Sequence, residues 1–205
     1  MKTKVPILNL QPITSIIIVY TINLFSPTYY FYLIHNYFGF IPYKITSSNI
    51  LIWQKIIPTI SYIFFHADFY HILINILMLL TFGSSVEKFF DKKFILFIFF
   101  LSGILGALSH CIIFSNSLLP MIGASAAISG LFGSALVVIL KRKNKNLNYL
   151  IIVSIVWIGL STFLGIFDIN ISFETKEIAW TAHIGGFISG VISTILLIKF
   201  YFKFN

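Results

Sequence analysis

Long apolar runs, broken by short polar or basic clusters, organise this chain of 205 residues. Crossing the hydrocarbon core of a bilayer takes about 20 apolar residues in a helix. Six stretches approach that length, at about 13–38, 71–86, 94–114, 125–140, 147–167 and 180–202. The first is expected to bend near Pro27, which has no backbone N–H to donate. Residues 39–70 carry Pro42, Pro58, Trp53 and several polar side chains, and read as an interfacial segment. No internal repeat or low-complexity tail stands out. The pattern predicts an all-α membrane protein, a single bundle of six transmembrane helices over residues 1–205.

Composition sharpens the class. Hydrophobic residues make up 58% of the chain and charged residues only 10%, with a mean hydropathy of +0.96. A soluble domain carries roughly a quarter charged residues. The net charge of +8 does not imply nucleic acid, because the basic residues sit in short clusters between apolar runs. Such clusters read as topology determinants beside anionic lipid. With alternate connections on opposite sides, one side collects 11 basic residues: Lys2, Lys4, Lys88, Lys92, Lys93, Lys141, Arg142, Lys143, Lys145, Lys199 and Lys203. The other collects 3: Lys44, Lys55 and Lys176. The positive-inside rule then places both termini in the cytoplasm, and the tally favours six spans. Cys111 is the only cysteine, so no internal disulfide forms. The first apolar run is long and has no small-residue cleavage site, and reads as a retained span rather than a signal peptide.

This topology brings polar residues to one depth. His71, Ser125 and His183 open the second, fourth and sixth spans from the outer side, and Asn75 lies one turn below His71. Polar groups inside a bilayer are costly unless they face a partner or a water-filled cavity. Ser125 and Ser129 lie in the run GASAAISG, and taken alone either serine reads as a packing residue that lets helices approach. The sixth span repeats the small-residue theme, with His183, Gly186 and Gly190 on one helical face. Two smooth faces therefore each carry a reactive group near the outer end, and close approach would bring Ser125 to His183. Imidazole beside serine is the minimum arrangement for an activated nucleophile. His35 and His110 read as partnered structural residues or interface anchors.

The fourth span runs only about 16 residues to its basic cluster, roughly 24 Å of helix against a core of roughly 30 Å. The chain before Ser125 is therefore expected to dip below the outer surface in non-helical form, which is tolerated only where protein or water covers it. Ser125 opens its helix, so its N–H is an unpaired first-turn donor. His71 and Asn75, at i and i+4, can also donate. They read equally as an oxyanion site or as a polar pair joining helices. Ser129 lies about 6 Å further along the axis, and reads as the packing serine of the two.

These residues resemble the rhomboid intramembrane serine proteases. The likeness covers about Trp53 to Gly190. It rests on His66-Ala67 with His71-Ile72-Leu73-Ile74-Asn75, on Gly83-Ser84-Ser85-Val86-Glu87, on Gly123-Ala124-Ser125, and on Ala182-His183-Ile184-Gly185-Gly186. The resemblance implies a six-helix rhomboid-like bundle with a Ser–His dyad and no acid member. Ser125 would be the nucleophile and His183 the general base, with His71, Asn75 and the Ser125 N–H as the oxyanion site. His66 would order the segment before the second span, and Glu87 would hold that span's cytoplasmic end. It further implies single-span membrane proteins as substrates, met in the lipid bilayer, with no metal, nucleotide or other cofactor. Two positions depart from the family pattern: Ala126 stands where Gly usually follows the nucleophile, and Trp53-Gln54 stands where Trp-Arg is common.

Three other classes fit the chain less well. A catalytically inactive rhomboid-like protein that binds membrane clients would usually have lost the serine or the histidine, and this chain keeps both. A transporter or channel is disfavoured by the missing intramembrane charges and repeats. A metalloprotease is disfavoured because His66, Asp68 and His71 do not share one helical face and no His-Glu-x-x-His occurs. The rich use of Ile, Asn, Lys and Phe suggests an A·T-rich, often bacterial, genome and hence a plasma-membrane location.

Overall fold

The computed structural model describes residues 10–143, 146–166 and 179–201. The ends predicted for the fifth and sixth spans, at 167 and 202, lie outside these residues, as do Lys2, Lys4, Lys145, Lys176 and Lys203 of the basic tally. The described chain is almost wholly helical: α1 (Leu10–Leu24), α2 (Thr28–Phe38), α3 (Pro42–Thr46), α4 (Ile52–Ser61), α5 (Phe69–Glu87), α6 (Lys92–Ile113), α7 (Ser125–Arg142), α8 (Leu147–Ile166) and α9 (Trp180–Tyr201). Four of these, α5, α6, α7 and α9, are long and apolar enough to cross a membrane.

The stretch 13–38 is not one bent span. The helix stops at Leu24 and restarts at Thr28, with Pro27 as the N-cap of α2. Proline lacks the N–H that would continue the ladder, and it pushes Ser26 before it out of the helical region. The interruption is therefore complete, and α1 alone has 15 residues. Within 39–70 the chain forms α3, α4 and a short 3₁₀ turn at Tyr62–Phe64. Gln54 caps α4, its Oε1 accepting the Leu51 N–H at 3.3 Å, so the residue in the usual arginine position serves its own helix end. Trp53 beside it is 49% exposed.

α7 is the centre of the bundle. Residues 126–131 and 133–138 are all buried, and α6, α9 and α5 pack around the helix. A helix enclosed by protein needs little side-chain bulk, which accounts for its alanines, glycines and serines. Its contact with α9 is close enough that a Cβ on Gly190 would lie 1.9 Å from the carbonyl oxygen of Gly130, and one on Gly186 2.1 Å from that of Ala126. Only glycine permits such backbone approach. α8 is far less enclosed, touching α7 and α9 sparsely while Ile151, Ile152, Ile155 and Val156 stay exposed.

Candidate active site

At the end of the bundle where α7 begins, Ser125 Oγ and His183 Nε2 share a hydrogen bond of 2.8 Å, joining residues 58 positions apart. Both side chains are half-buried. The pair is therefore not fully enclosed by the bundle. The glycine contacts between α7 and α9, one turn and two turns further in, set the separation of the two helices at this level.

The turn that presents Ser125 is held on every side. Phe40 and Met121 exchange two backbone hydrogen bonds, of 2.9 and 2.8 Å. Tyr43 N–H donates to Ser117 O at 3.1 Å, and Thr46 Oγ1 to Ser115 O at 3.2 Å. Gly123 N–H donates to Tyr62 O at 3.0 Å, and the Tyr62 hydroxyl donates to Gly103 O at 2.8 Å. Residues 39–46 and the 3₁₀ turn thus cover the non-helical chain before α7, whose buried backbone would otherwise lack partners. Gly123 has φ +116°, a conformation few other residues adopt. A Cβ there would also lie 2.7 Å from His71 Nε2. The His71 ring therefore lies directly against the backbone two residues before the nucleophile.

His66 is fully buried and accepts the Ala124 N–H through Nε2 at 3.4 Å. An accepting nitrogen carries no proton, so this bond requires neutral imidazole. Burial, and secondarily the neighbouring His71 ring, favour that form, pushing the His66 pKa down to about 3. The His66 and His71 rings meet edge to face at 4.9 Å. Asp68 caps α5, its Oδ1 accepting the His71 N–H at 2.8 Å, which orients the first turn that carries His71. Among the described residues, His71 Nδ1 is buried without a hydrogen-bond partner. Such a group in a native site commonly marks a place where water or substrate completes the set.

Asn75 is buried, and its Nδ2 donates to the His71 carbonyl of its own helix at 2.8 Å. That bond does not join two helices. The amide has a second N–H, which remains to be used. Ser129, one turn below Ser125, is 1% exposed and donates its hydroxyl to Ser125 O at 2.8 Å. Its proton is committed to its own helix, away from any base. The methyl of Ala126 points at α6: a Cβ on Gly106 would lie 2.9 Å from it. A glycine on the facing helix therefore houses the extra methyl.

The histidine set around the pair is wider than the sequence reading allowed. His110 joins α6 to the helix that carries His183. His110 lies near the site end of α6, and its Nδ1 shares a 2.7 Å hydrogen bond with Thr181 Oγ1 of α9. His110 lies near the outer end of the third predicted span, at the depth shared by His71, Ser125 and His183, and that shared depth is its signal in the sequence. Of the acidic residues, Asp168, Glu174 and Glu177 lie outside the described residues. Among the described residues no group of three His, Cys, Asp or Glu side chains is placed to hold a metal ion.

The family model described as "Rhomboid domain" matches residues 53–200. Among curated relatives, RHOMBOID-like protein 5 of Arabidopsis thaliana is 28% identical over 146 residues, covering 68% of this chain and 44% of that protein. Rhomboid protease GluP of Bacillus subtilis is 29% identical over 145 residues, covering 71% of this chain and 26% of that protein. Inactive RHOMBOID-like protein 8 of Arabidopsis thaliana is 31% identical over 109 residues, covering 53% of this chain and 29% of that protein. The chain thus spans less than half the length of each of these three relatives.

Proposed function

The chain belongs to the rhomboid family and is an integral, multi-pass membrane protein, and we propose that it is an intramembrane serine endopeptidase. The observation that carries this reading is the 2.8 Å bond between Ser125 and His183 at a half-buried edge of the bundle. In the proposed reaction Nε2 of His183 accepts the Ser125 proton as Oγ attacks a substrate carbonyl. The tetrahedral oxyanion then forms beside the free first-turn N–H of Ser125, with His71 and the second N–H of Asn75 as further donors. His183 returns the proton to the leaving amine, and water repeats the sequence on the acyl-enzyme. His66 and Gly123 hold the turn in place throughout.

The proposed substrates are membrane proteins, single-span ones in particular, cut in or near their spans. The proposed topology has six spans, with α1 and α8 added to the four long helices, both termini cytoplasmic, and the site toward the outer side of a bacterial plasma membrane. A cysteine placed at Asn144, outside the described residues, should then react with an impermeant thiol reagent only from the cytoplasmic side. Reaction from outside would overturn the orientation.

A serine-reactive fluorophosphonate tests the chemistry. It should label the purified protein at Ser125, and Ser125→Ala should not label. The second reading, an inactive protein that binds membrane clients, is kept because one relative bears the name inactive. An intact, folded wild type that does not label would favour it.

A further inference from the structure

We propose that His110 is a positioning residue for the general base, acting through Thr181; this rests on the reading of Ser125 and His183 as a dyad. The two side chains share a 2.7 Å hydrogen bond across 71 positions of sequence. Thr181 is 2% exposed and stands in the first turn of α9, two residues before His183. Ala179 O, just before α9, accepts the N–H groups of both Ala182 and His183, at 2.9 and 3.3 Å, so one carbonyl holds the backbone of the turn that carries the base. A frayed first turn would rotate His183 away from Ser125.

His110 is well placed to prevent this. Its carbonyl accepts the Phe114 N–H at 2.9 Å, closing the end of α6, so the ring stands on a finished helix. The ring packs against Phe114 at 5.0 Å, and Phe114 meets Trp180, the first residue of α9, edge to face at 6.5 Å. One turn deeper, a Cβ on Gly106 would lie 2.6 Å from Ala182 O and 2.9 Å from Ala126 Cβ. The same face of α6 therefore touches the residue beside the base and the residue beside the nucleophile. Nδ1 is the ring nitrogen nearest the backbone, so bonding through it leaves little freedom to the joint.

Helix adhesion alone would make the same bond, and the test separates the two roles. Thr181→Val removes the hydroxyl at almost constant volume, while Thr181→Ser keeps it. His110→Phe keeps the ring against Phe114 without the nitrogen. His110→Asn places a polar atom where Nδ1 stood, and His110→Gln places one further out. The readout is the fluorophosphonate labelling rate of Ser125, with kcat and KM on a membrane-protein substrate, in detergent where each variant is monodisperse. Thr181→Val and His110→Phe should each slow labelling by up to roughly 10²-fold, the scale of a misplaced catalytic group. They should lower kcat with KM unchanged, and the double variant should be no slower than the slower single one. Thr181→Ser and His110→Asn should label near the wild-type rate. Thr181→Val labelling at the wild-type rate would overturn the proposal, as would singles whose effects multiply or His110→Asn no better than His110→Phe. If His110→Phe does not fold, the valine and serine variants of Thr181 decide the matter. A wild type that does not label removes both readings, whereas a labelling wild type with indifferent Thr181→Val removes only this one.

Discussion

The seam between α7 and α9 carries two hydroxyl contacts that differ in their surroundings. At the site end, Ser125 meets His183 at 2.8 Å and both are half-buried. Further along, Ser134 and Thr194 meet at 2.7 Å with no exposure at all. The same device builds both: small residues bring two backbones together, and a polar pair satisfies itself across the gap. The deep pair joins two hydroxyls, neither basic enough to take a proton from the other, and closes the seam. The upper pair joins a hydroxyl to an imidazole where both side chains are only half-buried. The proposed chemistry needs a base that is not fully enclosed, and of the two pairs only the upper one has an imidazole and partial exposure.

The comparison is broken most completely by removing the upper pair. Ser125→Ala and His183→Ala should each lower turnover by about 10⁴–10⁶-fold, the scale for losing one member of a unit that acts together. Both should remain folded in detergent, because the glycine seam survives. Turnover persisting in Ser125→Ala would show that another group is the nucleophile.

Asn75→Ala should be the next largest. Losing one oxyanion donor while others remain costs about 10²–10³-fold in kcat. A variant that melts earlier but turns over normally would assign the amide wholly to its bond with the His71 carbonyl.

Gly190→Ala tests whether the seam sets the distance of the upper pair. Its new methyl would meet the Gly130 carbonyl at 1.9 Å, so the helices must part. Overpacking of this kind costs about 1–3 kcal/mol, and turnover should fall by roughly 10²-fold through misplacement. Thermal denaturation alongside kcat reads both. Unchanged kcat with lowered stability would mean that the upper pair is held from α6 instead.

Ser129→Ala and Ser134→Ala should have the smallest effect on turnover. Among the described residues Ser129 bonds only its own helix, and its loss should leave labelling intact. Ser134→Ala strands the buried Thr194 hydroxyl, at a cost of about 1–3 kcal/mol, with kcat kept. Labelling lost in Ser129→Ala but retained in Ser125→Ala would reverse the assignment of the two serines.

Much of this was legible in the chain. The helices from Phe69 to Tyr201 follow from apolar runs ended by charge or by glycine and proline. The candidate residues His71, Asn75, Ser125 and His183 stood out because polar groups at one depth in so apolar a chain require a partner. Other features were not legible. The stretch 13–38 reads as continuous by hydropathy, yet Pro27 and Ser26 end the helix outright. Ala126 read as a departure because nothing nearby in sequence reveals that Gly106 faces it. His110 read as an anchor because its partner, Thr181, is 71 positions away. The pairing of Phe40 with Met121 leaves no periodic trace in either segment.

By itself, the sequence determined the four long apolar helices, the depth of their polar residues and which faces are smooth enough to meet. Those properties depend on neighbours within a turn or two and on the cost of placing each side chain in lipid. Only the tertiary structure decided that Ser125 and His183 lie in hydrogen-bonding reach, that Ser129 turns back on its own helix, and that His66 and His110 bond to Ala124 and Thr181. Such distances follow from how whole helices are placed against one another. A displacement of an ångström, invisible to any local pattern, separates a bonded pair from two stranded polar groups.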